Sequence, residues 1–194
     1  ALLQSNLRTA AAPTFMRLQQ ITSHASFSSA HAEAAVRDEV LRLLHMMCGI
    51  ARASSLANLT VMFDMCAPTF EGIVHLVEVY HASSTLIVAQ CLSFFADLAD
   101  AQCALLDPGR SCMFFNAIQA LLTVYGPGKC NLTASWSLLR RTPAALAGGA
   151  SQGKHVLGGT AEPDDVVTEV VLVLRVLSQL SNKANVDWYD FEST

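Results

Sequence analysis

Val36, Val40, Leu43, Leu44, Met47 and Ile50 recur at steps of three and four residues, which puts them on one side of a helix over about residues 33–53. Ser54-Ser55 follow, predicting a break and an N-cap for the next helix. That next stretch runs over residues 56–80, with Leu59, Met62, Phe63 and Cys66 ahead of Pro68 and Ile73, Val74 and Val77 beyond it. Proline has no N–H for the i→i−4 bond and crowds the preceding turn, so a kink or short interruption is expected near Met65. Ser83-Ser84 cap a third stretch to about Leu106, in which Ile87, Cys91, Phe94, Phe95 and Leu98 keep the helical period and apolar residues lie nearly all round. For the fourth helix, Asp107 can accept from the open amides, Pro108 suits the first position, and Gly126-Pro127 predict its end.

Outside this block the pattern weakens. Residues 2–22 carry faint helical spacing interrupted at Pro13, and the serine-rich residues 23–31 read as a loop. Residues 126–162 hold seven of the ten glycines, four basic residues and Glu162 as their acid, the composition of an insertion loop. After Pro163-Asp164 a last helix is expected from about Asp165 to Asn182, since Val166, Val170, Val173, Leu174, Leu177 and Leu180 stay in register over a length too great for a typical strand. The expected organisation is therefore an N-terminal helix and loop (1–32), two helical pairs (33–125), a glycine-rich insertion (126–162), a further helix (163–183) and an acidic tail (184–194).

The second and fourth helices end alike. Gly72-Ile73-Val74-His75-Leu76-Val77-Glu78-Val79-Tyr80 is matched 45 residues later by Ala117-Ile118-Gln119-Ala120-Leu121-Leu122-Thr123-Val124-Tyr125. The first and third helices correspond at an offset of 48, Leu44 to Ala51 against Leu92 to Ala99. Two helices in every 45 or so residues is the period of HEAT or armadillo units, in which one hairpin cannot bury both apolar sides and stacking supplies the missing cover. The fold class expected is all-α, a partial superhelix of stacked antiparallel hairpins. Each tyrosine should pack its ring against the next repeat and leave its hydroxyl at the wet edge.

Composition sharpens this picture. A mean hydropathy of +0.38 is high for a chain whose longest aliphatic run is Val170 to Leu174, as expected for helices covered on two sides. That run is far short of the ~20 residues that cross a bilayer, so no membrane insertion is expected. The start at Ala1 without Met and the ending Asp187-Trp188-Tyr189-Asp190-Phe191-Glu192 fit a piece of a longer array, and no secretory leader pattern stands at the front. Cys48, Cys66, Cys91, Cys103, Cys112 and Cys130 have neither paired zinc-ligand spacing nor a disulfide-rich context, and are expected as small buried hydrophobes. A net charge of −4 argues against nucleic acid. From Ala53 to Gly109 there is no Lys or Arg, while Asp64, Glu71, Glu78, Asp97, Asp100 and Asp107 all fall there, so an acidic face for a basic partner is expected.

No residue earns a catalytic, cofactor or metal role. Gly148-Gly149-Ala150-Ser151-Gln152-Gly153-Lys154 has the spacing of a phosphate loop, but His155 stands where Ser or Thr should hold Mg²⁺ and no apolar strand precedes it. Asn58-Leu59-Thr60 and Asn131-Leu132-Thr133 are formal glycosylation acceptors, the first inside an expected helix. His45, His75 and His81 have no histidine at i+4 and no nucleophile signature beside them. The chain is expected not to be an enzyme.

Cys48-Gly49-Ile50-Ala51-Arg52-Ala53, Leu76-Val77-Glu78-Val79-Tyr80, Leu121-Leu122-Thr123-Val124-Tyr125 and Leu177-Ser178-Gln179-Leu180-Ser181-Asn182-Lys183 with Asp187-Trp188 resemble export receptors of the importin-β (karyopherin) superfamily, over about residues 41–190. The resemblance implies a segment of a large HEAT-repeat nuclear transport receptor. Such a receptor binds protein cargo together with GTP-bound Ran, meets nucleoporins and shuttles between nucleus and cytoplasm. The alternative expectation is a helical-repeat scaffold or regulatory subunit unrelated to transport. The N-terminal repeats where Ran binding is expected lie outside this chain, and its glycine-rich residues 126–162 depart from the pattern.

Overall fold

The computed structural model describes residues 2–55, 57–101, 106–129 and 169–179. Among these the chain is all-helical, and its helices pack against one another. They are α1 (Leu2–Ser23), the short α2 (Phe27–Ala30), α3 (Ala34–Arg52), α4 (Leu59–Cys66), α5 (Phe70–Tyr80), α6 (Thr85–Asp100), α7 (Pro108–Lys129) and α8 (residues 169–179).

Most of the expected elements are present, with informative differences at their ends. α1 runs unbroken through Pro13. Pro13 and Thr9, whose carbonyl loses its N–H partner, both lie on the exposed side of the helix, where solvent can take the place of the missing bond. The serine-rich segment is not all loop, because α2 buries Phe27. Ser54 and Ser55 break the chain as expected but do not cap α4: Ser54 turns back to the Ala51 carbonyl, and Asn58 stands at the cap position with its Oδ1 accepting from the Ser55 N–H at 2.7 Å. Asn58 therefore precedes the helix that was expected to contain it. The interruption at Pro68 is a 3₁₀ turn over Ala67–Thr69, slightly later than expected, with the proline in its first positions where no amide bond is lost.

Ser84 caps α6, its hydroxyl accepting from the Ile87 N–H at 3.4 Å, and α6 ends at Asp100 rather than near Leu106. Asp107 caps α7 as expected, accepting from the Arg110 N–H at 3.1 Å. Gly126-Pro127 do not end α7, which continues to Lys129. Pro127 falls in the last turn, where its missing N–H removes a single bond and the glycine before it leaves room. Of the expected insertion only residues 126–129 are described, and they are helical; residues 130–162, including the Gly148 to Lys154 loop, lie outside the described residues. Residues 169–179 are helical within the last expected helix.

Packing follows the offsets read in the sequence. α3 lies along α6, and α5 lies along both α6 and α7, while α1 covers α3, α4 and α5 from the other side. Cys48 meets Gln90 and Arg52 meets Asp97, so α3 and α6 run parallel. Asp64 meets Arg110 and Phe70 meets Phe114, so the α4–α5 pair and α7 are parallel as well. Buried positions repeat with the same offsets: Val40, Leu43, Leu44 and Met47 of α3 against Val88, Cys91, Leu92 and Phe95 of α6, and Ile73, Leu76 and Tyr80 of α5 against Ile118, Leu121 and Tyr125 of α7. Phe63, Phe70, Phe95 and Phe114 join four helices in one cluster with ring centroids 5.3 to 6.3 Å apart. Edge-to-face and offset contacts of this kind add about 0.5–1.5 kcal/mol per pair beyond area burial.

Candidate functional site

The polar contacts between successive helices are the feature with most chemistry. Arg110 forks onto Asp64, Nε to Oδ1 at 2.7 Å and Nη2 to Oδ2 at 3.0 Å, and also bonds Asp107. Arg52 Nε lies 2.9 Å from Asp97 Oδ2, off the line of a hydrogen bond, and its Nη2 donates to Ser93. Gln90 Nε2 donates to the Cys48 sulfur at 2.9 Å. Tyr80 donates to the His31 carbonyl at 2.7 Å, and Tyr125 donates to Glu169 Oε2 at 3.1 Å. Separations along the chain for these rungs are 41 to 49 residues. Arg175 adds a longer link, bonding Asp100 and lying 3.7 Å from Asp97 Oδ1.

The paired tyrosines thus differ from expectation. Both rings are buried, but neither hydroxyl stands at a wet edge. Tyr80 reaches back to the segment before α3 and Tyr125 reaches forward to α8, because the bulk of each ring takes it inside and a buried hydroxyl then requires an acceptor. Burial raises the Tyr80 phenol above its ordinary value.

The acidic, Lys/Arg-free stretch is largely neutralised from outside itself. Arg110 serves Asp64 and Asp107, and Arg52 and Arg175 serve Asp97 and Asp100. Two hydrogen bonds from Arg110 hold Asp107 below the usual carboxylate range. The Asp97 carboxylate 2.9 Å away raises the Arg52 guanidinium further. Glu71 and Glu78 on α5 remain exposed, with Glu78 3.3 Å from His75. Folding thus narrows an apparent six-acid face to these two residues, because proximity in space supplied cations that proximity in sequence lacked.

Other singled-out residues take structural places. His45 is exposed; His75 sits beside the Phe27 ring, and His81 contacts the Glu78 carbonyl at 2.6 Å. Cys48, Cys66 and Cys91 are buried, as expected, but Cys112 is exposed, since it falls on the outer side of α7. Burial pushes the Cys48 thiol up to about 11 and raises Cys91 as well. Cys103, Cys130 and Asn131 lie outside the described residues. Among the described residues no group of His, Cys, Asp and Glu is placed to hold a metal ion, and no helix is long and apolar enough to cross a membrane. A shallow groove of about 620 Å³ lies between the end of α1 and α3, over Ile21, Phe27 and Val36. Arg17 and Glu39 span it with a 2.8 Å ion pair, which leaves it without net charge.

Asp97 is the residue that sequence reasoning undervalued. It was one of six acids, yet its side chain is only 2% exposed and it is the point where α3, α6 and α8 meet. The available signal was its setting, Phe94-Phe95-Ala96 before it and Leu98 after it, in a helix apolar nearly all round. No protein-family model matches the chain, and no solved structure matches it.

Proposed function

We propose that this chain is a stack of HEAT-type helical pairs that works as a protein-binding segment of a nuclear export receptor. The observation that carries the stacked reading is the recurrence of polar rungs 41 to 49 residues apart, close to the 45- and 48-residue offsets of the sequence. Parallel helices that recur at a near-regular offset are what stacked hairpins produce, since each unit repeats the path of the one before it.

The transport part of the reading rests on the resemblance to importin-β superfamily export receptors. Within that superfamily the quoted segments resemble exportin-4, and exportin-7-like relatives share similar repeats. On this reading the full receptor takes protein cargo together with GTP-bound Ran, meets nucleoporins and shuttles between nucleus and cytoplasm. The chain contributes curved surface and flexible stacking, with no catalytic step. Glu71 and Glu78 on α5 are the exposed acids available to a basic cargo.

A pull-down with the full-length receptor decides the matter. Cargo capture that rises with GTP-loaded Ran supports export; capture indifferent to Ran points to a constitutive scaffold and overturns the export reading. Charge reversal at Glu71 and Glu78 should weaken binding of a basic cargo about tenfold at low salt, and less at high salt.

A further inference from the structure

The loop between α3 and α4 carries a serine whose hydroxyl the fold does not use. Ser54 and Ser55 stand side by side just after Arg52, the last residue of α3. Ser54 donates its hydroxyl to the Ala51 carbonyl at 2.6 Å and is half-buried. Ser55 is exposed, and among the described residues only its backbone is held. Asn58 Oδ1 accepts from the Ser55 N–H at 2.7 Å, and the Asn58 N–H donates to the Ser55 carbonyl at 3.0 Å.

The charge around this serine differs from that of the chain as a whole. From Val40 to Phe63 there is no Asp or Glu, while Arg42 and Arg52 fall there, in a protein of net charge −4. Arg52 stands three residues before Ser55, and its side chain is 61% exposed. An arginine at that spacing in an acid-free stretch suits the acidic substrate cleft of a basophilic serine/threonine kinase. The cleft's carboxylates pair with the cation and repel neighbouring acids. Arg175 stands at the same spacing before Ser178, but that serine lies within α8. A kinase cleft takes its acceptor extended, which a surface loop permits and a packed helix does not.

We propose that Ser55 is a phosphoacceptor site for a basophilic kinase, with Arg52 as a recognition residue that Asp97 also holds. In the folded chain Arg52 Nε lies 2.9 Å from Asp97 Oδ2, and its Nη2 donates to Ser93 at 3.3 Å. Recognition draws the guanidinium from α6 to the kinase, so the link between α3 and α6 competes with modification. In the transfer the Ser55 Oγ attacks the γ-phosphorus of ATP and the bond from that phosphorus to the β,γ-bridging oxygen breaks. ADP leaves, and the hydroxyl proton passes to the kinase's catalytic carboxylate. The phosphoserine then carries about −1.5 to −2 charges at pH 7, three residues beyond Arg52. This inference depends neither on Ran nor on the export reading.

Incubating the whole chain with activated calmodulin-dependent protein kinase II, ATP and Mg²⁺, followed by peptide mapping, tests it. Phosphate should appear on Ser55 and not on Ser54 or Ser178. Ser55→Ala and Arg52→Met should each lower incorporation at least tenfold. Asp97→Asn, which loosens the hold on Arg52, should raise the initial rate severalfold. Phosphate on other residues only, equal incorporation in Arg52→Met and wild type, or an unchanged rate in Asp97→Asn overturns the proposal. Circular dichroism checks that Asp97→Asn folds; should it not, Ser93→Ala, which removes the other contact of Arg52, takes its place with the same expected rise. A peptide of residues 49–60 is run beside the chain. Modification of the peptide but not of the chain means that the folded loop is closed to the kinase, and modification of neither means that the segment is no substrate; each result contradicts the proposal.

Discussion

Asp97 shows how a single carboxylate can organise three helices. It is buried, whereas its arginines are 61% and 41% exposed, so the two sides of the cluster should respond unequally to mutation. Replacing both cations, Arg52→Met with Arg175→Met, strands a buried charge and should cost about 3–5 kcal/mol in urea unfolding. Asp97→Leu removes that charge and leaves arginines free to turn to water, so its cost should be less than half as large. Equal losses would mean that the pairing contributes little. Thiols give a second check: iodoacetamide at pH 8 should modify Cys112 readily and spare Cys48 and Cys91, whose burial disfavours the thiolate. Peptide mapping by mass spectrometry reads the outcome. Acid behaviour follows from Glu39 and Asp107, both held below the ordinary carboxylate range by hydrogen bonds from Arg17 and Arg110. Their contribution is complete above the unfolded values near about 4 and is lost as pH falls through the lower folded values. Glu39→Gln with Asp107→Asn should therefore be less stable than wild type at pH 6, and the difference should shrink progressively as the pH falls below about 4 in urea midpoints.

Among elements, those with strongly apolar stripes were legible and those built from small residues were not. α3 and α6 follow directly from Val, Leu, Met and Phe at helical spacing. α1 looked faint because its buried stripe is Ala11, Thr14, Phe15 and Leu18, two of them residues that do not register as hydrophobic anchors. Its close contact with α5 was equally hidden. A Cβ at Gly72 would run into the Thr22 hydroxyl, so this glycine is needed for the approach of two helices rather than for a turn. Gly72→Ala should cost about 1–3 kcal/mol, and Thr22→Ala in the same chain should recover part of that loss. Thermal unfolding of the single and double variants tests the pair; additive losses would contradict the contact. The aromatic cluster makes Phe114 the residue that ties α7 to α4, α5 and α6. Phe114→Ala should cost about 3–5 kcal/mol by chemical denaturation, as a large buried ring leaves a cavity that rigid neighbours fill poorly.

At the scale of the molecule, the helical class was readable from the apolar spacing, and the 45- and 48-residue offsets reappear as buried positions on α3 and α6 and on α5 and α7. The candidate binding face was readable only in part. Sequence could count acids between Ala53 and Gly109, but the arginines that neutralise four of them come from residues 52, 110 and 175. Charge pairing between helices distant in sequence becomes visible only when the helices are placed beside one another.

The proposed binding surface stands on in-register stacking of helical pairs, and a cross-link tests that stacking directly. In a chain with Cys103, Cys112 and Cys130 replaced by serine, Asp64→Cys with Arg110→Cys puts two thiols at one rung. Asp64→Cys with Thr123→Cys moves the second thiol about 20 Å further along α7, at 1.5 Å per residue. A short bis-maleimide should close the first pair rapidly within one chain and leave the second open. Equal closure of both, or closure of the second alone, would contradict the stack.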